Sequence, residues 1–160
     1  MYTWPDRVSY SGTFEDDKRL AAGTYTFPSG EQYSGTFTPL TEWSTPATFL
    51  SYQITGKGKV TLPSGDRYEG LLVNSVYNGE GTFTKADGSQ MTGVFKDGKL
   101  AGKGKMIGKD GSEYKGTFKN GLAHGKGVKS YKDGSKYTGN FKNGKPRGKG
   151  VIKWRNGMKY

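Results

Sequence analysis

The sequence predicts an all-β fold in which consecutive β-hairpins join edge to edge as one elongated, single-layer, twisted antiparallel meander. Three observations predict it, of which the first is that glycines and aromatic residues recur at intervals of 23 residues. Apolar and polar side chains alternate between these glycines, which is typical of strands. Asn-Gly and Asp-Gly pairs, which favour hairpin turns, recur at fixed places in the interval. Such a period indicates a repeat architecture stabilised mainly by contacts between neighbouring units.

The composition of the chain agrees with a sheet that has no deep core. Its 160 residues are enough for one domain, but only 31% of them are apolar, well below the usual share in globular domains. Aromatic residues make up 14%, which argues against disorder. The chain has no cysteine, which excludes disulfides and thiolate metal sites and allows a reducing compartment.

Targeting signals and membrane spans are not recognisable in the sequence. Residues 1–7 lack the basic and apolar regions of a secretory signal. Leu71-Leu72-Val73 is typical of the longest apolar runs, far short of the roughly 18 residues that cross a membrane. We therefore expect a soluble, intracellular protein.

The repeating unit is clearest when Tyr114 is taken as position 0. Glycines then follow at +2, +7, +11, +13 and +20, Phe118 lies at +4, and Tyr137 opens the next unit. Units defined in this way start at residues 10, 33, 68, 91, 114 and 137.

One unit is longer than the others. The step from residue 33 to residue 68 is 35 residues, so 12 extra residues form an insert at about 38–55. Residues 2–9 resemble the end of an earlier unit, and Tyr160 takes the first position of a further one. We therefore expect a single repeat array over residues 1–160 with partial units at both ends.

Each element of the unit follows from its residues. Positions 0 to +5, such as Tyr114 to Lys119, alternate in polarity and predict the first strand. Asn120-Gly121 predicts the hairpin turn, and the residues from Gly125 onward alternate along a returning strand. Asp133-Gly134 predicts the second turn, which leads to the next unit.

Units such as Tyr114 to Gly127 resemble MORN repeats, and the resemblance covers nearly the whole chain apart from the insert. It implies a non-enzymatic structural or adaptor protein that binds protein partners in a large intracellular assembly. The settings that the resemblance implies are the cytoskeleton and a cilium or flagellum axoneme. One alternative is a peripheral membrane module that binds anionic phospholipids through its basic C-terminal half. Another is a regulatory MORN segment of a larger enzyme.

Alternation places positions 0, +4, +15 and +17 on one side of the sheet, the ring face, together with the glycines at +2, +11 and +13. Because glycine has no side chain, rings can lie over the backbone there. We expect a concave ring face with a large apolar patch, covered by a helix or extended peptide of a partner. The residues expected to bind protein in this way are Phe95, Tyr114, Phe118, Tyr131, Tyr137, Phe141 and Trp154.

Positions +5 and +12 lie on the opposite side, the lysine face, and become uniformly basic in the last three units. Residues 1–90 carry a net charge of −3, whereas residues 91–160 carry +14. The face is either a solvated surface that keeps the sheet soluble or an anion-binding strip for an acidic protein surface or anionic lipid. Nucleic acid is disfavoured because the rings face the other way. The candidate anion-binding residues are Lys96, Lys103, Lys119, Lys126, Lys142 and Lys149.

The insert and the edges of the sheet are two further candidates for interaction. The insert contains Trp43, Phe49 and Tyr52, and a long apolar loop on a repeat scaffold serves either as a contact site or as a flap over the ring face. Open edge strands allow edge-to-edge association with another chain.

Catalytic chemistry has no support in the sequence. His124 is the only histidine, so neither a histidine metal site nor a catalytic triad with an independent orienting group can form. Asp87, Asp110 and Asp133 each precede a turn glycine and are interpreted as turn residues. The glycine spacing matches no nucleotide-binding pattern. We therefore expect no enzymatic activity, no cofactor and no metal site.

Overall fold

The computed structural model describes residues 1–15, 18–36 and 54–160, and thirteen of its strands form one antiparallel sheet in chain order. The predicted all-β meander of hairpins is therefore confirmed. The described residues contain no helix that is long and apolar enough to span a membrane. The strands are β1 (Tyr2–Thr3), β2 (Ser9–Glu15), β3 (Lys18–Thr26), β4 (Gln32–Thr36), β5 (Gly56–Thr61), β6 (Arg67–Val73), β7 (Val76–Thr84), β8 (Gln90–Lys96), β9 (Lys99–Ile107), β10 (Glu113–Lys119), β11 (Leu122–Ser130), β12 (Lys136–Lys142) and β13 (Lys145–Lys153).

Turns of the first kind close the hairpin within each unit. Asn120 and Gly121, between β10 and β11, have φ angles of 52° and 77°. Two consecutive positive φ angles characterise the two-residue turn that matches the twist of antiparallel strands. Asp97-Gly98 and Asn143-Gly144 adopt the same conformation in their units, because short Asn and Asp side chains tolerate the left-handed region.

Turns of the second kind join consecutive units. The N–H of Gly134 donates to the carbonyl of Tyr131 at 3.0 Å, and Tyr131 N–H donates to Ser135 at 2.9 Å. One carboxylate oxygen of Asp133 accepts hydrogen bonds from the Ser135 N–H at 2.8 Å and the Ser135 hydroxyl at 2.6 Å. These bonds lower the pKa of Asp133 below its ordinary value. Asp87 and Asp110 make the same bonds to serine, so the aspartates are turn residues in the structure.

Glycines form an unbroken row across the sheet from β2 to β13. In the last two pairings, Gly127 lies opposite Gly139 and Gly139 lies opposite Gly150. Every strand in this range contributes one member, and each pairs with the next. We call this row the glycine ladder, and its members are Gly12, Gly23, Gly35, Gly58, Gly70, Gly81, Gly93, Gly104, Gly116, Gly127, Gly139 and Gly150.

Tyrosine rings lie flat over the glycine ladder, as the sequence predicts. A Cβ atom added to Gly127 would lie 2.5 Å from Cε2 of Tyr114, far inside van der Waals contact. The Tyr114 hydroxyl donates to the carbonyl of Thr117 at 3.0 Å, and the Tyr68 hydroxyl donates to that of Leu71 at 2.9 Å. These two rings are therefore held by the glycines below them and by their own strand at the hydroxyl, whereas the Tyr10 hydroxyl donates to Ala22 on the neighbouring strand at 3.0 Å.

The core is a single layer of these rings together with aliphatic side chains such as Leu72 and Leu100. Tyr114 contacts the rings of Phe118 and Phe141 edge-on, with centroids 5.1 Å and 4.7 Å apart. Tyr68 stacks on Tyr77 with centroids 3.9 Å apart, and burial raises the pKa of Tyr68 to about 12. Rings of successive units thus bury one another without a second layer.

The insert residues predicted to make contacts, Trp43, Phe49 and Tyr52, lie outside the described residues. The segment after them is attached to the sheet at Ile54, which is buried. Its N–H donates to the Ser75 hydroxyl at 2.9 Å, and the Ser75 N–H donates to its carbonyl at 2.7 Å. The chain therefore re-enters the sheet at a fixed point.

Candidate interaction surfaces

The ring face is largely filled by its own side chains, so the expectation of a contiguous exposed apolar patch there is wrong. The rings are covered within the chain because they lie flat on glycine and pack edge-on against each other. Their role in binding a protein stays a prediction. Five of the seven candidates expose at most 7% of their surface, namely Phe95, Tyr114, Phe118, Tyr137 and Phe141.

The other two candidates on the ring face remain accessible. Trp154 exposes 40% of its surface, and Tyr131 is half-buried. Both occupy position +17, at the start of a turn that joins units. The ammonium group of Lys129 lies 5.1 Å from the centroid of the Tyr131 ring, a distance at which a cation and a ring attract each other. Access to the ring face is therefore concentrated at these turns.

All six candidate lysines are exposed, and the register places them on the face opposite the rings. Lys103 on β9 lies opposite Thr117 on β10, and Lys126 on β11 lies opposite Asn140 on β12. Lys103 and Lys126 are each one residue from a member of the glycine ladder. Because position +12 recurs on every second strand, successive lysines are about 10 Å apart. The six residues are Lys96, Lys103, Lys119, Lys126, Lys142 and Lys149.

A second group of charges on the lysine face includes an acidic residue that sequence reasoning missed. Lys105 and Lys115 lie directly opposite each other on β9 and β10. Like charges in that position destabilise a sheet, but Glu113 lies between them, with carboxylate oxygens 2.7 Å and 3.2 Å from the two ammonium groups. The two lysines lower the pKa of Glu113. Identifying this bridge requires the cross-strand register, which the sequence pattern alone does not give.

Grooves follow the glycine ladder on the lysine face, whereas the sequence predicts a concave surface on the ring face. One groove of about 850 Å³ has Gly70, Gly81 and Gly93 at its floor. Its walls are formed by side chains that flank the ladder, and they include Lys57, Leu71, Glu80, Thr82, Thr92, Val94 and Lys103.

A second groove of about 410 Å³ continues along the ladder toward the C terminus. Gly116, Gly127 and Gly139 form its floor. The grooves arise because side chains rise on both sides of a row that has none. The walls of this one are Lys115, Lys126, Val128, Thr138 and Asn140.

The charge of the groove walls changes along the chain. In the first groove Glu80 accompanies Lys57 and Lys103, and nearby Lys59 pairs with Glu69 at 3.4 Å. In the second groove the charged wall residues are the two lysines. The charged walls are therefore mixed in the first groove and basic in the second.

The described part of the chain offers few side chains for metal binding or catalysis. Residues 1–15, 18–36 and 54–160 contain no cluster of three histidine, cysteine or acidic residues able to hold a metal ion. His124 lies on β11, and its backbone carbonyl accepts a hydrogen bond from the Thr117 hydroxyl. This contact belongs to the hairpin and involves no histidine side chain.

Comparison with protein families identifies the repeating unit. The profile of one family, described as MORN repeat, matches residues 10–32, 48–67, 68–90, 92–113, 114–136 and 137–159. Most matches begin at or beside the unit starts taken from the glycine spacing, and the second begins within the insert. The predicted resemblance is confirmed by these six tandem matches. No curated protein matches the chain as a relative.

Two solved structures are similar to the chain at low identity. The SAS-4 (dCPAP) TCP domain of Drosophila melanogaster, in complex with a proline-rich motif of Ana2 (dSTIL), is 10% identical. The comparison covers 100% of this chain and 92% of that one, with a TM-score of 0.38. The TCP10 domain of Danio rerio CPAP, in complex with a STIL peptide, is 16% identical, covers 99% and 74%, and has a TM-score of 0.43. Likenesses at this level carry no conclusion about function.

Proposed function

The chain belongs to the MORN-repeat family, and from this premise we propose that it is a non-enzymatic adaptor whose lysine face binds an acidic segment of a partner protein. The observation that supports this most is the recurrence of Lys103 and Lys126 in the walls of grooves along the glycine ladder. A lysine is thus exposed at the same position of successive units. A repeated surface of this kind suits an elongated ligand that crosses several strands.

The spacing of the lysines favours an extended segment as the ligand. Lys103, Lys126 and Lys149 lie on alternate strands, which sets them about 10 Å apart. Three residues of an extended chain also span about 10 Å. Acidic residues at every third position of such a segment would therefore meet successive lysines.

Charge repulsion within the free protein supports an anionic ligand. Residues 91–160 carry a net charge of +14, and the lysines of the face are exposed. Neighbouring like charges destabilise the free sheet, and an acidic ligand relieves that repulsion. Because the contacts are exposed, binding weakens as ionic strength rises.

The setting we propose is a large intracellular assembly of the cytoskeletal kind, such as a cilium or axoneme. The support is the family resemblance of a chain in which nearly every residue belongs to MORN repeats. Sedimentation with the cytoskeletal fraction of ciliated cells tests it. Recovery of the protein only in the detergent-soluble fraction would contradict the setting while leaving the lysine face untouched.

Charge reversal on the lysine face tests the binding proposal. The double variant Lys103→Glu/Lys126→Glu should lose binding to an oligo-glutamate peptide and to its partner in cell extract. Lys132→Glu/Arg155→Glu is a matched control, since it makes the same change in net charge at exposed turn residues. Equal loss of binding in both variants would show that only overall charge matters and would overturn the site.

Anionic lipid is the second candidate ligand, and one observation favours it. Leu122 exposes 49% of its surface at a hairpin tip and lies directly opposite Lys119. An apolar side chain beside a cation suits insertion between anionic headgroups. Sedimentation with phosphatidylserine vesicles separates the two candidates, because salt-sensitive vesicle binding without peptide binding would favour lipid.

A further inference from the structure

The apolar row at position +17 is interrupted in the middle of the sheet. This position starts each turn that joins consecutive units, and in most of them it carries a large apolar side chain. In two consecutive units it is instead Lys85 and Gly108. The large residues at the other described turns are Trp4, Phe27, Leu62, Tyr131 and Trp154.

In the unit that starts at Tyr10, side chains at +17 cover the residue at +15. Trp4 and Phe27 stack on Tyr25 from either side, with ring centroids 6.2 Å and 6.5 Å away, and Tyr25 is buried. In the interrupted units the corresponding +15 residues are Phe83 and Met106, and both are only partly buried. Both side chains therefore keep part of their apolar surface open beside turns that carry no large apolar side chain.

A cavity of about 270 Å³ lies at this interruption. Its apolar wall is formed by Met91, Met106 and Ile107, beside the backbone of Gly108. The remaining residues at its rim are polar or charged, and they are Lys85, Asp87, Ser89, Gln90 and Lys109.

The backbone at the cavity has the geometry that elsewhere carries a ring. Gly108 N–H donates to Ser112 at 2.8 Å, and Gly111 N–H donates to Gly108 at 2.9 Å. The turn that starts at Tyr131 has the same two bonds, at 2.9 Å and 3.0 Å. The cavity thus lies beside a turn with the same backbone hydrogen bonds as the Tyr131 turn but without a large side chain at its first residue.

We propose that this cavity binds an aromatic side chain carried by an acidic segment of a partner protein. Thioether groups such as those of Met91 and Met106 contact aromatic rings favourably and adapt to their shape. Two ammonium groups and one carboxylate stand at the rim, and the carboxylate of Asp87 already accepts two hydrogen bonds from Ser89. The rim therefore attracts a segment with acidic residues beside the ring. This site is separate from the lysine face and does not rest on the function proposed for it.

Methyl NMR of the methionines tests the cavity directly, with indole-3-acetate as the probe. The chain has four methionines, of which Met91 and Met106 line the cavity, while Met1 and Met158 are 89% and 61% exposed elsewhere. Saturable shifts confined to the two cavity methyl groups are expected. Tryptamine, the cationic counterpart, should bind about two- to five-fold more weakly. Equal shifts at Met158, or tighter binding of tryptamine, would overturn the proposal.

Variants that fill the cavity complete the test. Gly108→Tyr copies the turn that carries Tyr131, and Lys85→Phe copies the one that carries Phe27. Both should abolish the probe-induced shifts. Lys85→Phe should keep the melting temperature at or above that of the wild type, whereas Gly108→Tyr should lower it, because a Cβ atom at Gly108 would lie 2.7 Å from Oδ1 of Asp110. Lys85→Phe keeps the test decisive if Gly108→Tyr fails to fold. Undiminished shifts in a folded, filled variant would contradict the site, whereas Lys103→Glu/Lys126→Glu should retain them and so separates the two proposals.

Discussion

At the scale of single residues, most glycines of the ladder are required by the rings above them rather than by their own backbone angles, Gly93 with a φ of 149° being the exception. Gly127 has no positive φ, so its backbone would accept other residues. Its constraint is the Tyr114 ring, which occupies the space that a Cβ atom would need. The ring in turn is fixed by its hydroxyl bond to Thr117. Each tyrosine and its glycines therefore act as one packing unit.

Gly127→Ala tests this packing unit. The added methyl group forces the Tyr114 ring from its place, which should lower the free energy of unfolding by about 2–3 kcal/mol. Gly88→Ala is the control, because Gly88 has open space around it and a φ of +85°, so alanine costs only backbone strain of about 1 kcal/mol. Denaturant unfolding measures both. A Gly127→Ala variant no less stable than Gly88→Ala would contradict ring-over-glycine packing.

The sequence predicted which residues meet on the ring face but not how completely they cover it. The period places Tyr114, Phe118 and Phe141 on one side, and the structure agrees. Their burial depends on rings that lie flat and tilt against rings of the next unit. Such tilts follow from three-dimensional packing, which alternation along one strand does not specify.

At the scale of elements, the turns were predictable and the irregularity within each hairpin was not. Asn120-Gly121 predicts its turn from two adjacent residues alone, because few residue pairs adopt two positive φ angles. Between Gly116 and Phe118 the pairing advances by two residues on β10, while on β11 it advances by four, from Ala123 to Gly127. This bulge keeps both Gly127 and Ala123 on the ring face. The alternating pattern of polarity fits the strands on both sides of the bulge, so the sequence gives no sign of the extra residues.

The Asp133 turn makes the stability of the fold depend on pH in the acidic range. Hydrogen bonds from Ser135 favour the carboxylate and lower the pKa of Asp133 below its ordinary value of 3.8. The group therefore stabilises the fold above pH 3.8, and this contribution is lost as pH falls through the lower folded value. Asp133→Ala should melt at a lower temperature than the wild type at neutral pH, with the difference vanishing in strong acid.

A neutral residue at the same place in the unit provides the control. One oxygen of the Asn156 side chain accepts a hydrogen bond from the Met158 N–H at 3.1 Å. Because this side chain does not titrate, the effect of Asn156→Ala on the melting temperature should be the same across the acidic range. If the effect of Asn156→Ala also disappeared in acid, the pH dependence of the Asp133→Ala effect would not come from titration of the Asp133 carboxyl group.

At the scale of the whole molecule, one row of glycines divides the sheet into a filled face and an open one. Rings occupy the side toward which a Cβ atom of most ladder residues would point, and Leu100 takes that place at Gly93. The other side keeps grooves between rows of polar and charged side chains. Since the rings cover one another over most of the ring face, the lysine face is the larger surface left open, and basic residues accumulate there in the second half of the chain.

Protection of lysines from acetylation, read by mass spectrometry in the free protein and in its native assembly, tests this division most directly. Lys103 and Lys126 project from the lysine face beside the grooves, whereas Lys132 is exposed at a turn that joins units. The account predicts that assembly protects Lys103 and Lys126 severalfold and leaves Lys132 as reactive as before. Protection of Lys132 with Lys103 and Lys126 still fully reactive would contradict it.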